Sequence, residues 1–124
     1  MTPISYSSSQ NRNDCVVRAL ANAANLDYDA AHKLCREAGR KDGRGMHRSL
    51  WIPLFERCVG IQHSAYLSDF KTVKSLSKKL AQRGGTYLVL VRGHVAVYRD
   101  GEWLDWIDSS RRHRVLRVWV INSN

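Results

Sequence analysis

The stretch TYLVLVRGHVAVYRDGEWLDWI, residues 86–107, decides the fold. Its runs TYLVLVR, HVAVYR and EWLDWI are rich in β-branched and aromatic residues, the composition of strands rather than helices. Asp100-Gly101, between the second and third runs, is a hairpin signal, because both residues accept the positive φ of a tight turn. A turn of those two residues would set Arg99 opposite Glu102, Ala96 opposite Asp105 and His94 opposite Ile107. Side chains alternate between faces, so Asp105 then lies on the face of His94, one diagonal step away. Asp108 falls on the opposite face, and a one-residue slip or a bulge near Ile107 would bring it to His94 instead. A fourth run, RVLRVWVIN (residues 114–122), completes an antiparallel sheet.

Upstream the period changes to that of helices. Asn13 or Asp14 is placed to cap a helix from about Cys15 to Ala24, whose Val16, Val17, Leu20, Ala21 and Ala24 give it a broad apolar surface. Asp27 or Asp29 starts a second helix through YDAAHKLCREAG, and Gly39 ends it. RKDGRGM, with glycines at 43 and 45, reads as a loop that must turn sharply, and it lacks the Lys-Ser/Thr of a phosphate-binding loop. HRSLWIPLFERCVG predicts a short third helix, with Pro53 tolerated only near its first turn. TVKSLSKKLAQRG predicts a fourth, basic on one side and ended by Gly84. Helices first and a sheet after them give an α+β layer arrangement in a single domain spanning residues 1–124.

Composition narrows the function. The length of 124 residues suits one modest core, and no apolar run approaches a membrane span. The N-terminal MTPISYSSSQ lacks the features of a signal peptide, so the expected location is the cytoplasm. Three cysteines, Cys15, Cys35 and Cys58, without a CxxC pair fit reduced thiols rather than a disulfide framework or a structural zinc site. No metal or organic cofactor is implied. The net charge of +9 favours acidic partners, either nucleic acid or an acidic protein, or else is simply a solvated basic surface. Arg40, Lys41 and Arg44, the run Lys71 to Lys79, and Arg111 to Arg117 carry much of it.

Cys15 carries the chemistry. A thiol heading a helix meets the positive end of the helix dipole, which favours the nucleophilic thiolate. The Cys15 backbone N–H can face a developing oxyanion, and the side-chain amide of Gln10, five residues upstream, can add a second donor. His94, at a strand start after Gly93, is the candidate base. Asp105 is the favoured acceptor to orient it, with Asp108 the alternative. Against these stand plainer roles: Cys15 as a small buried hydrophobe, His94 as a sheet histidine, Asp105 as a partner of Arg112 or Arg114. Cys35 and Cys58 read as structural, and His32, His47, His63 and His113 as surface residues. The tryptophans at 51, 103, 106 and 119 read as core and sheet packing, with Trp103 on the His94 face and so expected at the cleft.

Gln10, Cys15 at a helix start, His94 on one strand and Asp105 on the next resemble the papain-like cysteine peptidases. More narrowly, NDCVVRALANAANLDYDAAHKL, AGRKDGRGM and YLVLVRGHVAVYRDGEWLDW are similar to small phage and prophage proteins related to the peptidases that cleave bacteriocin leaders. The resemblance spans about residues 10 to 108. It implies a papain-like fold, with the nucleophile at the start of a central helix packed on a C-terminal antiparallel sheet. It also implies a peptidase or isopeptidase working through a Cys-His-Asp triad and a thioester on a protein or peptide substrate, in the host cytoplasm if phage-encoded. Six residues is the commoner Gln–Cys spacing there, so Asn11 or Asn13 could take the oxyanion role. The alternative is a catalytically silent relative that binds and inhibits an acidic host target.

Overall fold

A computed structural model of the chain describes residues 14–41, 43–92, 94–104 and 114–121. The first helix, α1 (Cys15–Ala24), has the expected bounds. Asn25 ends it in the left-handed conformation, φ 56°, with its N–H on the Ala21 carbonyl. Of the two candidate caps, Asn13 lies outside the described residues and the Asp14 carboxylate caps no first-turn N–H. Instead Asp14, 1% exposed, sits 3.1 Å from the Arg18 guanidinium and accepts the Tyr28 hydroxyl at 2.8 Å. A buried carboxylate without a cation costs several kcal/mol, against ~1 kcal/mol gained from a cap, so the ion pair wins.

The second helix, α2 (Tyr28–Glu37), is capped by Asp27, whose Oδ1 accepts the Ala30 N–H at 2.8 Å. It runs out at Gly39, φ 116°, where a Cβ would also lie 3.3 Å from Leu50. Helix α3 (Arg48–Cys58) is capped by the His47 ring, which accepts the Ser49 N–H. Pro53 lies in the middle of α3 rather than in its first turn. It occupies the exposed side, where water can satisfy the carbonyl it frees, while Trp51, Leu54 and Phe55 hold the helix from the buried side. Arg40, read from the sequence as part of a basic surface cluster, is only 4% exposed.

Strand β1 (Ile61–His63) and helix α4 (Ala65–Ser68) follow, neither foreseen from the sequence. Helix α5 (Val73–Arg83) starts at Thr72, whose hydroxyl accepts the Ser75 N–H, and ends at Gly84. Strands β2 (Thr86–Val91), β3 (His94–Arg99), β4 (Glu102–Trp103) and β5 (Val115–Ile121) complete the chain. The five described strands form one antiparallel sheet in the order β1-β5-β2-β3-β4. The Asp100-Gly101 turn has both residues at positive φ and sets Arg99 opposite Glu102, as the hairpin reading requires. The molecule is therefore mixed α+β, with one strand inserted between the helices. Among the described residues no helix is long and apolar enough to cross a membrane.

Helices cover both faces of the sheet. Leu88, Val95, Val97, Trp119 and Ile121 pack with α1, α2 and α3. Tyr87, Val89, Val91, Tyr98 and Val118 pack with Leu67 of α4 and with Val73, Leu76 and Leu80 of α5. This is why β2 reads as a nearly continuous apolar run with no polar face. In β5 an irregularity opposite Leu90 and Val91 adds one residue, leaving Leu116 exposed and turning Val115 to the α5 side with Val118.

Helix α1 is sandwiched between the sheet and the other helices of its layer, packing chiefly on β3 and α2. It runs in the same direction as β3. Near its end the Arg99 guanidinium donates to the Asn22 carbonyl at 3.0 Å, and the fully buried Asn22 amide donates to the Leu104 carbonyl at 3.1 Å. Ten residues of helix rise about 15 Å and six of strand about 20 Å, so pinning one end carries the start of α1 to the start of β3.

Candidate active site

That parallel placement brings Cys15 and His94 to one cleft. Its volume is about 510 Å³, and its lining includes Cys15, Val16, Leu90, His94 and Val95. Gly45, Met46, His47, Arg48 and Trp51 complete its described lining. Cys15 is the first residue of α1 and is partly exposed; His94 is the first residue of β3, half-buried, with its Nε2 buried. A thiol on a helix start and an imidazole on a strand start, sharing a cleft with an apolar floor, are the parts needed for nucleophilic attack by a thiolate.

The charge beside the thiol is tied down. Asp14 precedes Cys15, and a carboxylate capping the helix would place negative charge against the first-turn N–H groups. Here it turns inward to Arg18 and Tyr28 instead. Burial first, and then the hydrogen bond to Asp14, push the Tyr28 hydroxyl well above the ordinary phenol range, so it stays a donor to that carboxylate. His32 stacks on Tyr28 at 5.9 Å, with its Nε2 3.5 Å from the Arg40 guanidinium. His32 is thus half-buried in this cluster rather than a surface residue. The cluster had no sequence signal beyond the i, i+4 spacing of Asp14 and Arg18.

Gln10, Asn11, Asn13, Asp105 and Asp108 lie outside the described residues. Trp103 does not reach the cleft. Its indole N–H donates to Ser77 of α5 at 3.2 Å and its ring packs edge-on to Tyr98, on the far side of the sheet from α1. The lining formed by residues 45–48 was not foreseen as part of a site, though His47 is adjacent to the glycine loop in sequence. Met46 is the member whose burial gives it a packing role.

The other cysteines are elsewhere. Cys35 is fully buried, and burial pushes its thiol up to about 12, which keeps it protonated and inert. Cys58 is exposed and lines a separate cavity of about 600 Å³ at the other end of α1, with Asn25, Arg57, Arg99 and Asp100. That cavity is the larger, but no histidine is among its described lining residues. Among the described residues no group of histidine, cysteine and carboxylate side chains is arranged to hold a metal ion. Compared with protein families, with curated proteins and with solved structures, the chain matches none.

Proposed function

We propose that the protein is a papain-like thiol hydrolase that cleaves an amide or isopeptide bond. The observation that carries this reading is the single cleft lined by Cys15 at the head of α1 and His94 at the head of β3. In this reading the Cys15 thiolate attacks the substrate carbonyl and a tetrahedral oxyanion forms. The Cys15 backbone N–H and Gln10 donate to that oxyanion. His94 holds the thiol proton and returns it to the leaving amine, giving a thioester on Cys15. Water, deprotonated by His94, then releases the acid and regenerates the thiol. Asp105, or Asp108, accepts from the imidazole and orients it.

The fold supports this assignment by what it fixes. Arg99 and Asn22 anchor one end of α1, and the Tyr28 hydroxyl of α2, donating to the buried Asp14, ties down the other. A nucleophile must be held to within a fraction of an ångström, and two rigid elements do this better than loops. The lining at residues 45–48 gives an extended substrate a place to lie beside the thiol.

The test is acylation by p-nitrophenyl acetate, followed as a burst of p-nitrophenol in a Cys58→Ser background. The expected result is one equivalent of rapid product release, absent in Cys15→Ala and slowed about 100-fold in His94→Ala. A burst of equal rate in His94→Ala would remove the imidazole from the mechanism, and no burst at all would remove the hydrolase reading.

A further inference from the structure

The side of the molecule away from the cleft carries its own signature. From Phe70 to Gly84, the stretch that forms α5 and its approach, the sequence contains five lysines and arginines and no aspartate or glutamate. Helix α5 buries Val73, Leu76 and Leu80 against the sheet and leaves Lys74 and Lys78, one turn apart, exposed on its crest. Lys71 is exposed just before the helix, and its carbonyl accepts the Val115 N–H, which brings the exposed Arg114 alongside. Among the described residues none of these lysines is in an ion pair.

An aromatic ring stands beside this crest. Tyr66 of α4 is 57% exposed, more than any other large apolar residue described. Phe70 braces it edge-on at 5.7 Å, and the Lys79 ammonium lies 5.7 Å from the ring centroid. Unneutralised lysines at helical spacing match a run of phosphates. An exposed ring with an ammonium beside it matches a base and the phosphate that follows it. A duplex keeps its base faces stacked inside and would leave Tyr66 unused, and an acidic peptide offers charge without a planar face.

We propose that the α4–α5 surface binds single-stranded nucleic acid, with a base stacked on Tyr66 and the backbone along Lys71, Lys74 and Lys78. The surface lies on the opposite side of the sheet from the cleft, so this binding is independent of the thiol chemistry.

Fluorescence anisotropy with labelled 20-mers of deoxythymidine and of uridine tests it, against a 20-base-pair duplex and polyglutamate as competitors, from about 50 to 300 mM salt. The expected result is single-strand binding at least tenfold tighter than duplex binding. Lys74→Glu/Lys78→Glu should weaken it more than tenfold and lower the salt slope by about 1.4. Tyr66→Leu, which keeps an apolar side chain against Phe70, should weaken it about tenfold without changing the melting temperature. Lys33→Glu/Arg57→Glu changes the net charge equally on exposed positions of α2 and α3 and should lose far less. A preference between the deoxythymidine and uridine strands tells DNA from RNA. Equal loss in the α2–α3 control, equal affinity for duplex, displacement by polyglutamate at matched charge, or no binding at the lowest salt overturns the proposal.

Discussion

The face of the sheet beneath α1, α2 and α3 carries all the buried polar side chains described: Asp14, Arg18, Asn22, Arg40 and Thr86. The face beneath α4 and α5 buries leucine, valine and tyrosine, and its lysines stay in water. Apolar burial is non-directional and tolerates small shifts, so the α5 face can supply stability without fixing any atom closely. Buried charges and amides demand particular partners at particular distances, so the α1 face gives up some adaptability in return for position. Cys15 and His94, which line the cleft, stand at the starts of α1 and β3, at the edge of that ordered layer. The contrast suggests a division of labour, with one layer holding the fold and the other holding the site.

Removing Asp14 should have the largest effect on stability. Asp14→Ala leaves Arg18 buried without its carboxylate and Tyr28 without its acceptor, and should cost about 3–5 kcal/mol in denaturant titration. Replacing the pair by apolar side chains, Asp14→Leu/Arg18→Met, should recover most of that loss while loosening the start of α1. A cost for Asp14→Ala below about 1 kcal/mol would mean the pair is hydrated and the polar face is not fixed by charge. On the other face, Leu80→Ala should cost about 2–5 kcal/mol by opening a cavity. The variant that folds should keep the native reactivity of Cys15. Altered Cys15 reactivity at unchanged foldedness would dissolve the distinction between the two layers.

A smaller effect should appear at alkaline pH. Burial raises the Cys35 thiol to about 12, well above its value in the unfolded chain, ~8.5. Below pH ~8.5 both states keep the proton, so this contribution is fully present. Above it the unfolded chain ionises first, and stability falls by about 1.4 kcal/mol per pH unit until the folded thiol titrates as well. Denaturant midpoints from pH 7 to 11 should therefore decline less steeply in Cys35→Val than in the parent. Identical slopes would assign the alkaline loss to other groups, such as Tyr28 and Tyr98, whose hydroxyls burial also raises.

Features with a long period or a committed turn were legible in the sequence. The bounds of α1, the Asp27 cap of α2, the Thr72–Gly84 span of α5 and the Arg99–Glu102 register all follow from local rules. Cys15 and His94 were picked out by their places at element starts, which local patterns do encode. Strand β1 and helix α4 were missed because three and four residues are too few to display a period. The second helical layer was missed because a strand buried on both faces shows no alternation. The inward turn of Asp14, the burial of Arg40 and the mid-helix Pro53 depend on tertiary partners that single-residue propensities do not contain. Trp103 was assigned to the cleft from strand parity alone, whereas the face it shares with Tyr98 is closed by α5.

The central claim, that Cys15 and His94 act as a pair, is tested most directly by the rate of Cys15 alkylation with iodoacetamide between pH 4 and 10. Mass spectrometry should follow each cysteine separately in the parent and in His94→Ala. The expected result is a Cys15 reactivity midpoint at least one unit below the free-thiol value of ~8.5, moving back toward it in His94→Ala while Cys35 stays unmodified. A Cys15 that is inert, or that follows an ordinary thiol profile with and without His94, would contradict the account.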